Sequence, residues 1–205
     1  MDIVKIVLLA SAVMFIVAGA IWLTRRGYGR SLPGRPPAGP LRRGGPLPDF
    51  IAADEQGDPV RSTELVGSPT VLLFVRGSWC PFCTAQVADL TRYYKDIVDL
   101  GGKLILVTPK PLETTRRVAQ FFAVEFDFWL DESLAVARQL ELVHAAGVPE
   151  AYLGEYGADT VWPTALVVDA AGIVRYVGLS KRIVDRPDPR TLLKALRKTI
   201  AASRC

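Results

Sequence analysis

Residues 76–86 read RGSWCPFCTAQ, with Cys80 and Cys83 three positions apart behind Trp79. The six residues before this stretch, TVLLFV (70–75), are apolar and β-branched, the pattern of a strand buried on both faces. After it, Val87, Leu90, Tyr94, Ile97 and Val98 recur at helical spacing up to Leu100, where Gly101-Gly102 stops the helix. The cysteine pair therefore sits at a strand-to-helix junction. Pro81 suits the first helical turn, where its missing N–H is not needed. Free backbone N–H groups and the positive end of the helix dipole then favour a thiolate at Cys80. Cys83, one turn on, shares the helix face and is within reach of a disulfide. On this reading Cys80 is the exposed nucleophile and Cys83 the buried partner that resolves a mixed disulfide.

Two other readings of the pair compete. A structural zinc site needs four ligands, and the chain has neither a second CxxC nor a histidine pair, since His144 is the only histidine. Two inert core thiols are possible, but core packing does not require a Trp-Cys-Pro-Phe-Cys string at such a junction. A CxxC beside a β-α-β pattern points to redox chemistry, which calls for no metal and no separate cofactor.

Further along, KLILV (103–107) and FDFWL (126–130) read as strands, and LETTRRVAQFF (112–122) and ESLAVARQL (132–140) as helices. TALVVD (164–169) and IVRYVG (173–178) form a hairpin around Ala171-Gly172, and 188–203 closes the chain as an amphipathic helix. This order implies an α/β domain with a mixed central sheet and helices on both faces. Pro163, just before a strand, removes a ladder hydrogen bond and, coupled to the CxxC, is expected to be cis and to offer its backbone to a substrate. Trp79 is equally suited to the substrate surface or to packing. His144, in an irregular stretch over 141–161, is expected to be solvated.

The first 47 residues differ in character. Ile6–Leu23 contains no charge and, as a helix, nearly crosses a bilayer core of about 30 Å. Residues 1–24 thus read as a single-pass membrane anchor, in preference to a cleaved signal peptide. Residues 25–47 hold six arginines and no acid among Pro and Gly, and read as an extended linker that buries nothing. The redox domain is then 48–205. The arginines after the helix favour the cytoplasmic side of the cell membrane for that domain by the positive-inside rule. Analogy with single-pass tethered thiol proteins of bacteria, which more often face outward, favours the opposite side. Of the formal net charge of +4, residues 1–47 supply seven basic groups against one acid, leaving 18 basic and 20 acidic in the remainder. That balance argues against a nucleic-acid-binding domain.

On LPDF (47–50), FVRGSWCPFCTAQVADL, WPTALVVDAAGIVRYV and RPDPRTLLKAL, residues 47–202 resemble thioredoxin-fold redoxins. More narrowly, they resemble the peroxiredoxin-like, redoxin branch of the alkyl hydroperoxide reductase and thiol-specific antioxidant superfamily. The resemblance implies thiol chemistry on peroxides or disulfides. Matched by position, Cys83 falls on the peroxidatic cysteine of true peroxiredoxins and Cys80 on their Thr or Ser. The proline upstream of that motif is absent, and so is the arginine before the penultimate strand, where Trp162-Pro163-Thr164 stands. Arg76 is the candidate replacement cation. These departures favour a membrane-tethered thiol-disulfide oxidoreductase, with Cys80 and Cys83 catalytic and Trp79, Pro81, Pro163 and Arg76 at the substrate. An upstream thiol donor would reset it. The alternatives are a thiol peroxidase acting on hydroperoxides and a non-catalytic membrane adaptor. Cys205, near the end of the final helix, is not expected to resolve the pair.

Overall fold

The computed structural model describes residues 39–110 and 126–202, together with Val13, Met14, Ile16 and Gln120. The anchor expected over 6–23, the helix expected over 112–122 and Cys205 otherwise lie outside these residues. Among the described residues no helix is long and apolar enough to cross a membrane.

Seven strands form one mixed sheet. In chain order they are β1 (Ile51–Ala53), β2 (Pro59–Arg61), β3 (Thr70–Phe74), β4 (Lys103–Thr108), β5 (Asp127–Leu130), β8 (Thr164–Val168) and β9 (Val174–Leu179). A separate two-stranded ribbon pairs β6 (Val143–His144) with β7 (Thr160–Val161). The spatial order of the large sheet is β2-β1-β5-β4-β3-β8-β9. β3, β4 and β5 are parallel, and the remaining pairings are antiparallel. The helices are α1 (Pro81–Asp99), α2 (Ala135–Gln139), α3 (Leu153–Tyr156) and α4 (Pro189–Ala202).

Alternation along the buried strands builds two apolar layers. Val71, Leu73, Leu104, Leu106, Ala165 and Val167 face α1 and α4, meeting Val87, Leu90, Leu192 and Leu196. Leu72, Phe74, Ile105, Val107 and Leu166 face the other way, meeting Leu65, Val136, Leu140 and Leu142. Each fully buried leucine contributes roughly 1.5–3 kcal/mol of burial free energy, so both faces of β3 are needed to hold it.

The helix ends follow their sequence signals. α1 begins at Pro81 with Cys80 as its cap residue. It ends in a left-handed Gly101, whose N–H reaches the Val98 carbonyl while that of Gly102 reaches Ile97. This is the double bond pattern that glycine permits at a helix C-terminus. The helix expected over 132–140 is shorter, because Leu134 takes a left-handed conformation. The buried Asp131 carboxylate then caps α2, accepting from the N–H groups of Val136 (3.0 Å) and Ala137 (2.8 Å).

The end of the arginine-rich stretch does pack, against expectation. Leu41 is fully buried in the second layer, and Gly44 and Gly45 exchange backbone hydrogen bonds with Val174.

Candidate active site

The loop between β3 and α1 turns sharply at Gly77 (φ +135°), a conformation closed to most side chains. The turn sets Cys80 as the residue before the helix, and its carbonyl accepts from Cys83 and Thr84, starting α1. Cys83 thereby projects from the first turn, and its thiol donates to the Cys80 sulfur at 2.9 Å. The expected pairing on one helix face holds. The expected exposure of Cys80 does not: Cys80 is only 1% exposed and Cys83 is fully buried. Tertiary contacts close over the junction, and the local sequence does not register them.

One of these contacts is made by Arg186, in the segment between β9 and α4. Its Nη2 donates to Cys83 Sγ at 3.1 Å and to Cys80 Sγ at 3.6 Å. Its Nη1 donates to the carbonyls of Ile183 (2.8 Å) and Asp185 (2.7 Å), which fixes the guanidinium plane. The segment itself is pinned by Ser180, whose N–H donates to the Pro163 carbonyl and whose hydroxyl donates to Asp185. Arg186 is 4% exposed, so its charge acts on the sulfurs with little solvent screening.

Arg76 lies beside the dithiol. Its backbone N–H donates to Cys83 Sγ at 3.5 Å, while its guanidinium bonds the Gly147 carbonyl and lies 4.6 Å over the Trp79 ring. It is also buried, and its charge favours thiolate at both sulfurs. Burial pushes Arg76 itself downward from the ordinary arginine range. Two buried guanidinium groups thus face one cysteine pair, and a thiolate is the anion that compensates them.

The pair splits accordingly. The hydrogen bond from Cys83, with Arg186 and Arg76 behind it, outweighs burial and brings the Cys80 thiol down to about 6. Burial, and the hydrogen bond that Cys83 gives to Cys80, push Cys83 well above the ordinary thiol range. Cys80 is the thiolate and Cys83 keeps its proton.

Other residues singled out in the sequence fall around this centre. Pro81 is exposed next to Cys80. Trp79 is half-buried, stacked on Tyr152 and edge-on to Tyr156, and the Tyr156 hydroxyl pairs with that of Ser78 at 2.8 Å. The irregular stretch over 141–161 is therefore a cover fastened beside the dithiol. Pro163 is buried and trans, not cis as expected, and its carbonyl is taken by Ser180. The β8–β9 pairing ends at Thr164 and Leu179, and the Ser180 N–H hydrogen bond takes up the Pro163 carbonyl just beyond it. His144 is half-buried and stacked on Trp162 at 4.1 Å, which corrects the solvated reading.

Arg186 is the residue of this site that the sequence alone does not bring to notice. It opens the RPDPRTLLKAL string, yet its role depends on a contact between residues 103 and 106 positions apart, for which no local motif exists.

A thiolate–thiol pair at a helix start, on this sheet and beside buried cations, defines a thiol-dependent oxidoreductase of thioredoxin-like fold. The family model described as AhpC/TSA matches residues 44–177, well over half the chain, and the chain belongs to that family. It is 25% identical over 151 residues to the chloroplastic Peroxiredoxin Q of Sedum lineare, covering 69% of this chain and 75% of that one. It is 24% identical over 140 residues to Peroxiredoxin Bcp of Escherichia coli (strain K12), covering 67% and 85%. The crystal structure of Peroxidoxin BcpB from Mycobacterium tuberculosis shares the fold at a TM-score of 0.60 and 21% identity, over 77% of this chain and 97% of that chain.

Proposed function

We propose that the protein is a thiol peroxidase that reduces hydroperoxides through the Cys80–Cys83 pair. The burial of Cys80 carries this reading against the protein-disulfide reductase that the sequence alone favoured. A sulfur 1% exposed, under Arg186 and beside Trp79, admits a small hydroperoxide far more readily than a protein disulfide. Among the described residues, the buried donors Arg76 Nε, Trp79 Nε1 and Arg186 Nε have no hydrogen-bond acceptor. A peroxide oxygen would satisfy such donors, and guanidinium groups stabilise the charge that develops on the leaving oxygen. The peroxiredoxins among the relatives agree with this assignment.

In the reaction, the Cys80 thiolate attacks the nearer peroxide oxygen. The O–O bond breaks, and the alcohol leaves after taking up a proton, which gives Cys80 sulfenic acid. The Cys83 thiol then attacks the Cys80 sulfur, forming the disulfide and releasing water. With the sulfurs already 2.9 Å apart, closure to a bond of about 2.05 Å requires only a small movement. An external dithiol donor supplies two electrons to reopen it. The role of Cys80 here reverses the positional match to peroxiredoxins; the lowered Cys80 thiol and the raised Cys83 thiol support that reversal.

We also propose membrane tethering through residues 6–23, with the arginine flank keeping the domain cytoplasmic, on the strength of the apolar run and the positive-inside rule. Extraction of membranes with carbonate should leave the full chain bound.

The deciding experiment mixes the reduced full chain with hydrogen peroxide in stopped flow, following tryptophan fluorescence, beside Cys80→Ser and Cys83→Ser. Fast oxidation in the wild type, lost in Cys80→Ser and stopping at sulfenic acid in Cys83→Ser, is the expected result. Fast oxidation that survives Cys80→Ser would move the peroxidatic role to Cys83. Slow oxidation with rapid insulin reduction would return the protein to the disulfide reductases.

A further inference from the structure

A groove of about 410 Å³ runs between β9 and α4, bordered by Arg43, Arg175, Lys194 and Lys198 over a floor that includes Tyr176 and Ala195. No carboxylate is among its lining residues. Arg175 is neutralised by the buried Asp169 at 2.6 Å. Arg43, Lys194 and Lys198 are exposed and make no ion pair among the described residues. Three uncompensated cations over a partly apolar floor suit a ligand with a phosphate head and an apolar body.

The groove lies at the end of the sheet away from the dithiol. Val174, which opens β9, pairs with Val168, and Val168 pairs with Thr70 at the start of β3. Cys80 follows the other end of β3, where Phe74 pairs with Thr164 and Thr164 with Leu179. α4 starts just after Arg186 beside the sulfurs, and Lys194 and Lys198 lie further along it toward the opposite end. A ligand in the groove therefore has no access to the redox chemistry. The arginine-rich stretch also reaches this edge, where Arg43 borders the groove and Gly44 and Gly45 pair with Val174 of β9.

We propose that this groove docks the domain on anionic phospholipid headgroups, holding the dithiol end away from the bilayer. Charge complementarity, and the presence of the arginine-rich stretch at the same edge, favour a membrane surface over a soluble phosphate compound. Nucleic acid fits poorly, because residues 48–205 carry more acid than base and the cations are confined to one short groove. The inference does not depend on which oxidant the dithiol reduces.

Lysine acetylation followed by mass spectrometry tests it on the full chain in vesicles of phosphatidylcholine alone or with phosphatidylglycerol. Lys194 and Lys198 should react about fivefold more slowly on the anionic vesicles, the factor that one basic contact near such a surface gives. Lys181, just beyond the dithiol end of β9, should react equally on both, and high salt should abolish the difference. Arg43→Glu should weaken the protection without changing thiol reactivity. Equal rates on both vesicles would overturn the proposal, as would equal slowing at Lys181. Protection by inorganic phosphate on phosphatidylcholine vesicles, as strong as that from phosphatidylglycerol, would assign the groove to a free phosphate compound instead.

Discussion

Cys80 is favoured as thiolate first by the hydrogen bond from Cys83 and then by the buried Arg186 and Arg76 guanidinium groups. With its thiol brought down to about 6, Cys80 is protonated and unreactive below that pH and ionised above it. Iodoacetamide or peroxide reactivity of Cys80 should thus rise with pH and reach half its plateau near pH 6. Arg186→Gln removes the cation nearest the pair and should move the midpoint upward. At pH 7 the rate should fall roughly five- to tenfold, as expected when one close opposite charge is lost; a stopped-flow pH profile measures both. The same charges act on the redox equilibrium. They stabilise the reduced, ionised pair and lose their anion when the disulfide forms, as in strongly oxidising relatives of thioredoxin. The reduction potential should therefore lie above that of thioredoxin, about −270 mV, and Arg186→Gln should make it more negative. Equilibration with glutathione at fixed ratios reads the difference.

At the scale of elements, the site depends on how the β3–α1 junction meets the cover formed by 141–161. Gly77 is the contact point: a Cβ there would lie 2.7 Å from the Tyr156 ring and 2.9 Å from Trp79 Nε1, at a φ already hostile to side chains. Gly77→Ala should destabilise the protein by roughly 1–3 kcal/mol in urea unfolding, through backbone strain and displacement of α3. It should also raise the accessibility of Cys80 to iodoacetamide, because the Trp79–Tyr156 contact closes that side of the pair. The junction itself was legible from sequence, since a buried apolar strand, a proline at the first helical turn and a glycine stop are local signals. The cover was not, because β6, β7 and α3 are each only two to four residues long and owe their conformation to what they pack on.

Across the whole molecule, the sheet divides the core into a layer that carries the dithiol and a layer that does not. Leu140, fully buried in the second layer, touches neither α1 nor α4. Leu140→Ala should cost about 2–5 kcal/mol of stability by urea unfolding and leave the midpoint of the Cys80 titration unchanged. Val87→Ala, on the same helix and in the same layer as Cys83, should shift that midpoint. The division of labour follows from the alternation of side chains along β3 and β4, which the sequence shows only as unbroken apolar runs. By itself the sequence determined the redox pair, its place at a helix start and the mixed α/β sheet, because periodicity, capping and the CxxC spacing act within a few residues of one another. Tertiary structure alone decided that Cys80 is covered, that Pro163 is trans with its carbonyl taken by Ser180, and that Arg186 joins Arg76 beside the sulfurs. Burial and Coulomb attraction act through space, and folding brings to one point residues that lie more than a hundred positions apart in the chain.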